Sequence, residues 1–309
     1  RRNGIFRNSL YNFVYPTIRN SSMATTVKNI LNLKQWFRIN KQLLFFFTFL
    51  MLLPISTLAC SVLYYIDEET GKIYVANNED YWYDTEAYIQ IEPSTANHFA
   101  RLWYGWDDFA QGGVNEKGLF FDGAVTPEQT LAFKYSKPKG NLGDKILAQC
   151  SNVEEVIAYL DKENIALTNA HIMFGDRNGN AVVVEWIESE RKLIYIEKGR
   201  LIMTNYLLSN PEKGNFPCKR FESIENKLNE LKSFEGSVGL KEVGNTLGQA
   251  VQIPNKDINN RIGGTLYSTF ISLSEMQFVL VSKLDNTKLT KLNLSEEFSK
   301  KKKQRIKLQ

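Results

Sequence analysis

The sequence predicts an α+β protein in which two packed, mainly antiparallel sheets carry helices on their outer faces. Three observations lead there. Short runs rich in aromatic and β-branched residues recur towards both ends of the region that starts at Cys60. Segments with apolar residues at helical spacing separate those runs. No repeat with a period of roughly 20–50 residues competes with a layered single domain.

Residues 61–66 and 72–76 read as a hairpin around a turn at 67–71, followed by strands at 87–91, 98–104 and 118–122. Val153, Val156, Ile157 and Leu160 then recur at helical spacing behind Ser151 and Asn152, two cap-forming residues. Strands at 170–175 and 181–187 flank the Asp-Arg-Asn-Gly-Asn turn at 176–180, and strands at 193–196 and 201–204 are expected to continue that meander. Phe221, Ile224, Leu228 and Leu231 mark a helix after Pro217, residues 238–251 a further helix, and 265–273 with 276–282 a closing strand pair.

Ahead of Cys60 the chain has the layout of an export signal. Lys34, Arg38 and Lys41 precede an apolar run at 43–53 broken only by Thr48; Pro54 stops it, and small residues stand at Thr57 and Ala59. Eleven residues are too few for a bilayer span, which needs about 20. The expected organisation is a basic leader at 1–35, a signal segment at 36–59 cleaved between Ala59 and Cys60, a catalytic-size domain at 60–295, and a solvated basic tail at 296–309. An uncleaved anchor and a lipidated Cys60 are the alternatives, although Leu58 lies one position off the usual lipoprotein pattern. The expected location is secreted or periplasmic, with membrane contact through the leader. The formal charge of +4 is concentrated at the two ends, and a solvated tail is the plainer reading than a nucleic-acid contact. Self-association stays open.

Only two histidines, His98 and His171, occur in the chain, with no metal-ligand spacing and no C-x-x-C pair, so neither a zinc site nor another cofactor is expected. Cysteine is the more informative residue. Cleavage before Cys60 makes it an N-terminal residue whose thiol is a nucleophile and whose α-amine, with an ordinary pKa of roughly 7.7–8.0, is a base. Cys150 and Cys218 are expected as free thiols, with a disulfide as the alternative.

Cys60, Ala-Asn77-Asn78-Glu-Asp80-Tyr-Trp, Gly113-Val-Asn-Glu-Lys-Gly118-Leu, the segment from His171 to Glu185, Met203-Thr-Asn205-Tyr and Cys218-Lys-Arg220-Phe come in an order and spacing that resemble the choloylglycine hydrolase and penicillin V acylase family. The resemblance runs from Cys60 to about residue 285. It implies a four-layer αββα sandwich, the N-terminal nucleophile hydrolase fold, and hydrolysis of a linear amide C–N bond by the N-terminal cysteine. It also implies catalytic roles for Cys60, for Asp80 as the carboxylate that binds the α-amine, for Asn205 as an oxyanion donor and for Arg220 beside the nucleophile.

Two positions depart from the family pattern: Asn77 stands where arginine is usual, and Val125 stands where many members have an asparagine. They leave the reaction class intact and the substrate unassigned. Asn77, Asn78, Trp82 and Val125 are the candidate substrate-binding residues, and the aromatic set Tyr81, Trp82, Tyr83, Trp103, Tyr104 and Trp106 reads either as an acyl pocket or as sheet core. The expected partner is a small N-acyl amide. Acyl transfer through the same acyl-enzyme, and a non-catalytic binding protein on the same fold, are the competing functions.

Overall fold

In a computed structural model, residues 60–214, 216–231 and 236–308 are described; the expected leader and signal segment lie outside the described residues. Strands β1 (Ser61–Ile66) and β2 (Ile73–Trp82) form the predicted hairpin. β3 (Tyr88–Glu92), β4 (Arg101–Trp106), β5 (Phe109–Asn115) and β6 (Phe120–Val125) follow. Next come α1 (Leu142–Gln149), α2 (Val153–Lys162), β7 (Ala170–Gly175), β8 (Ala181–Ile187), β9 (Glu190–Tyr195) and β10 (Arg200–Met203). After α3 (Lys219–Leu231) and α4 (Leu240–Leu247) come β11 (Asn255–Lys256), β12 (Ile262–Ser272), β13 (Gln277–Ser282), β14 (Leu289–Asn293), α5 (Leu294–Ser299) and β15 (Gln304–Lys307).

The strands pair into two antiparallel sheets, one ordered β10-β1-β2-β12-β13-β14 with β11 on β12, the other β15-β3-β4-β5-β6-β7-β8-β9. Because successive strand side chains alternate between faces, β1 is buried on both. Val62 and Tyr64 pack between the sheets with Ile89, Leu102, Met173 and Val183. Leu63 and Tyr65 face Ile224 and Leu228 of α3 and Val243 and Leu247 of α4. On the far side of the second sheet, Phe121, Phe174 and Val182 lie beneath Ile146 of α1 and Val156 and Leu160 of α2. The order is helix, sheet, sheet, helix: the expected αββα sandwich.

The caps act as their sequence suggests: Asn152 accepts from the Glu155 backbone N–H at the start of α2, and Asn141 does the same for Asp144 at α1. Ile224, Leu228 and Leu231 put one apolar stripe of α3 onto the sheet.

Four departures from the expected elements matter. β2 continues six residues past 76, so the polar run Asn77-Asn-Glu-Asp80 is buried strand. β5 is a strand with Gly112 and Gly113 inside it, and its pairing leaves no room for a side chain there: a Cβ on Gly112 would stand 2.2 Å from Asp122 Oδ2 and 2.5 Å from the Tyr104 hydroxyl. β10 does not continue the meander but crosses to pair with β1 in the other sheet. The expected basic tail is corrected too. Leu294 and Phe298 of α5 enter the central core, and β15 pairs with β3 through Gln304–Ile91 to Lys307–Tyr88, with Ile306 and Leu308 packed on the core and the charged side chains turned outward.

Candidate active site

Cys60 immediately precedes β1, and the hairpin register that sets Ser61 opposite Asn78 sets Cys60 beside Glu79. The Cys60 thiol is 7% exposed and donates to Glu79 Oε1 at 3.3 Å. Glu79 Oε2 is buried without a hydrogen-bond partner.

The polar face opposite the thiol is organised by Arg220, in the first turn of α3. Its guanidinium donates to the Cys60 carbonyl at 2.6 Å, the Ser61 hydroxyl at 2.9 Å and Asn205 Oδ1 at 3.0 Å, and lies 3.9 Å from Asp80 Oδ2. The expected set of Cys60, Asp80, Asn205 and Arg220, spread along the sequence, therefore meets around one guanidinium, whose planar fork suits several acceptors at once. Asp80 is buried in β2 and accepts from the Thr265 hydroxyl at 2.6 Å.

The Asn205 amide donates to the Val125 carbonyl at 2.8 Å. Val125 contributes backbone there, while its side chain is 63% exposed and lines a cavity with Cys60 and Glu79. That cavity encloses about 210 Å³ with Phe121, Ala124, Leu142, Leu167 and Ile172 among its walls. It opens where β5 leaves β6: their pairing stops at Gly112–Asp122, and a Cβ on Gly123 would meet nothing nearer than 3.9 Å.

The loop that carries Asn205 is fixed from below. His171 and Glu185, both fully buried on β7 and β8, pair at 2.9 Å; the other ring nitrogen of His171 meets the Thr204 carbonyl, and Glu185 accepts from the backbone N–H of Leu208 at 2.7 Å and Ser209 at 2.9 Å. Burial raises the Glu185 carboxyl, but hydrogen bonds from His171 and Ser209 outweigh it and hold the group below its ordinary value.

Asn77 shares the inner face of β2 with Glu79. It donates to Asp122 Oδ1 at 2.9 Å, and Asp122 Oδ2 accepts from the Tyr104 hydroxyl at 2.7 Å. Burial pushes Glu79 up to about 7, opposed by its hydrogen bond with the Cys60 thiol and by the nearby Asn77 side chain. Burial and the neighbouring Glu79 push Asp122 well above the usual carboxylate range. Asp80 is pushed up to about 8, again by burial, against Thr265 and Arg220. Burial, then Glu79 and Asp80, raise the Cys60 thiol well above its ordinary value, opposed by a hydrogen bond with the Asp80 backbone. The thiol therefore rests protonated.

Two expected substrate contacts lie elsewhere. Asn78 points to the outer face of the sheet, where it donates to the Leu247 carbonyl at 3.0 Å and accepts from Ser268 at 2.7 Å. Trp82 stacks on the Arg261 guanidinium, 4.7 Å from ring centroid to Cζ, and is not among the cavity walls. The aromatic set is mostly sheet core: Trp103 lies under α1, Tyr104 lies between the sheets, and Tyr81 stacks on Trp106 at 4.4 Å. Glu79 and Asp122 are the site residues that motif reasoning missed. Continuing the β1–β2 register by one pair would have found Glu79. Cys150 and Cys218 are both free.

The sandwich matches the fold of solved structures. A variant of conjugated bile acid hydrolase from Clostridium perfringens aligns with a TM-score of 0.62 at 19% identity over 80% of this chain and 97% of that one. Penicillin V acylase from Agrobacterium tumefaciens aligns with a TM-score of 0.62 at 18% identity over 80% and 90%. By sequence, no curated protein matches. The sequence model of the acyl-coenzyme A:6-aminopenicillanic acid acyl-transferase family, however, matches residues 66–283, and the chain belongs to that family.

Proposed function

We propose that the protein is an exported amidohydrolase of the N-terminal nucleophile type, acting on a linear C–N amide bond of a small N-acyl substrate. Family and fold support the general class of reaction. The observation that carries the finer reading is the meeting of Cys60, Asp80 and Asn205 around Arg220, beside an apolar cavity that Cys60 itself lines.

Cleavage between Ala59 and Cys60 frees an α-amine, and Asp80 orients it. The thiol attacks the acyl carbon, the amine leaves, and water releases the acid from the thioester. As negative charge develops on the carbonyl oxygen, Asn205 exchanges its contact with the Val125 carbonyl for the oxyanion, held in place by Arg220. The cavity accepts the acyl group, and its apolar walls favour an uncharged one. The thiol proton needs an acceptor within hydrogen-bond reach of the sulfur, and the freed α-amine and Glu79 are the two groups available.

Transfer of the acyl group to an amine in place of water is a second reading, favoured by the description of the family itself as an acyl-transferase. Mass spectrometry of the mature protein's first peptide, with turnover of a panel of N-acyl amides by wild type and Cys60→Ser, tests the proposal. A free N-terminal Cys60 and loss of turnover in the variant are expected. A diacylglycerol on Cys60, or a variant as active as wild type, would refute it. Adding hydroxylamine partitions the acyl-enzyme between water and an amine.

A further inference from the structure

We propose that Glu79 takes the Cys60 thiol proton as the sulfur attacks and hands it to the departing group, an inference that rests on Cys60 being the nucleophile. Three features of the site point to it. The carboxyl is the hydrogen-bond acceptor of the thiol at 3.3 Å. It lines the same cavity as Cys60, so it lies on the side from which a substrate approaches. Its second oxygen is buried without a partner, leaving one acceptor position open towards a donor on substrate or water.

Asn77 brings no charge to the inner face, and its amide donates to Asp122 and not to Glu79. The groups around Glu79 are then Cys60 from the start of β1, Asp80 next to it on β2, Asp122 from β6, Tyr104 from β4 and Tyr267 from β12, with Arg220 of α3 reaching Asp80. No cation in that set touches Glu79 directly. The carboxyl, pushed up to about 7, is placed to exchange a proton near neutrality, where a general base works best.

The step balances without another reactant. The S–H bond breaks and its proton passes to Glu79 Oε1, while the sulfur electron pair forms the S–C bond and the carbonyl pair moves onto oxygen. When the C–N bond breaks, the nitrogen takes the proton from Glu79, which returns to carboxylate. In the second half, water attacks the thioester, its proton goes to Glu79, and the S–C bond breaks as that proton returns to sulfur.

A single activated ester separates the outcomes, because p-nitrophenolate leaves without needing a proton. With p-nitrophenyl hexanoate, wild type should give a burst followed by steady turnover, with hexanoyl found on Cys60. Glu79→Gln should slow both the burst that acylates Cys60 and the release of hexanoate, each by about 10²-fold or more, and should lose the limb near pH 7 seen in wild type. Glu79→Asp, which keeps a carboxyl, should recover part of the rate and covers the case in which the glutamine variant fails to fold. If Glu79 serves only as a charge opposing thiolate, removing it speeds acylation and leaves release unchanged, and that result overturns the proposal. Wild-type release by Glu79→Gln with an unchanged pH profile overturns it equally and assigns the proton to the α-amine. Absence of an adduct on Cys60 in wild type would instead sink the nucleophile reading beneath it.

Discussion

The two faces of the β1–β2 hairpin place carboxyls of adjacent residues in different company. On the outer face, Asp80 has the Arg220 guanidinium 3.9 Å away, yet its nearer oxygen makes no hydrogen bond. On the inner face Glu79 has no cation in contact, but it accepts from the thiol and is further lowered by Asn77. Burial raises both carboxyls, opposed at Glu79 by Cys60 and Asn77 and at Asp80 by the Thr265 hydroxyl and then the Arg220 charge. The outer face is a scaffold of fixed donors centred on Arg220, whereas the inner face is a reservoir of protons shared among Glu79, Asp122 and Tyr104.

The largest effect should come from the donor side of the scaffold. Asn205→Ala should lower kcat by about 10²–10³ with little change in KM, because the lost hydrogen bond strengthens only as the oxyanion forms. Steady-state kinetics check it; a rise in KM alone would make Asn205 a binding residue. Arg220→Lys keeps a charge near Asp80 but loses the fork that joins the Cys60 carbonyl, Ser61 and Asn205. Loss of charge-assisted bonds costs about 1.5–3 kcal/mol each, so a fall in kcat of about tenfold or more is expected. If the lysine variant retains full activity, charge alone suffices and the fork is dispensable.

Much of this was legible in the chain, and the illegible parts share a cause. The layered fold followed from periodicity, and the scaffold residues from motif order. The run from Asn77 to Asp80 read as a break after a strand because four polar residues in sequence usually lie in solvent. Their partners, Asp122, Thr265 and Ser268, come from distant strands, and only the closed sandwich shows which of these side chains are met there. Likewise Lys300 to Lys303 hid β15, whose Ile306 is the inward half of a two-residue alternation too short to outweigh the neighbouring charges.

The two buried carboxyls, one on each face, predict an unusual pH dependence of stability. Glu79 and Asp80 have folded values raised above their unfolded ones, so the native state binds more protons than the unfolded chain between those values. Their contribution is fully present below about pH 4 and is lost as pH rises through 7 to 8. Glu185 acts oppositely: its stabilisation is present above its unfolded value and is lost on acidification. Urea unfolding at pH 6 and pH 9 should therefore show lower stability at the higher pH, with Glu79→Gln flattening that slope. A stability unchanged from pH 6 to pH 9 would mean that these carboxyls are already ionised in the native protein.

Trp82 provides the smallest effect and the sharpest boundary to the site. It is the last residue of β2, two positions beyond Asp80, and so continues the same outer face, but the strand has by then reached the sheet's end. There its ring lies against Arg261, whose guanidinium also pairs with Asp84 at 2.8 Å. An exposed cation–π contact contributes about 0.5–1 kcal/mol. Trp82→Ala should therefore lower stability by about that amount and leave kcat/KM for any cleaved amide within about twofold of wild type. A large rise in KM would extend the substrate surface past the Arg220 scaffold and onto the end of the sheet, where the aromatic side chains would then bind part of the substrate that the cavity beside Cys60 does not hold.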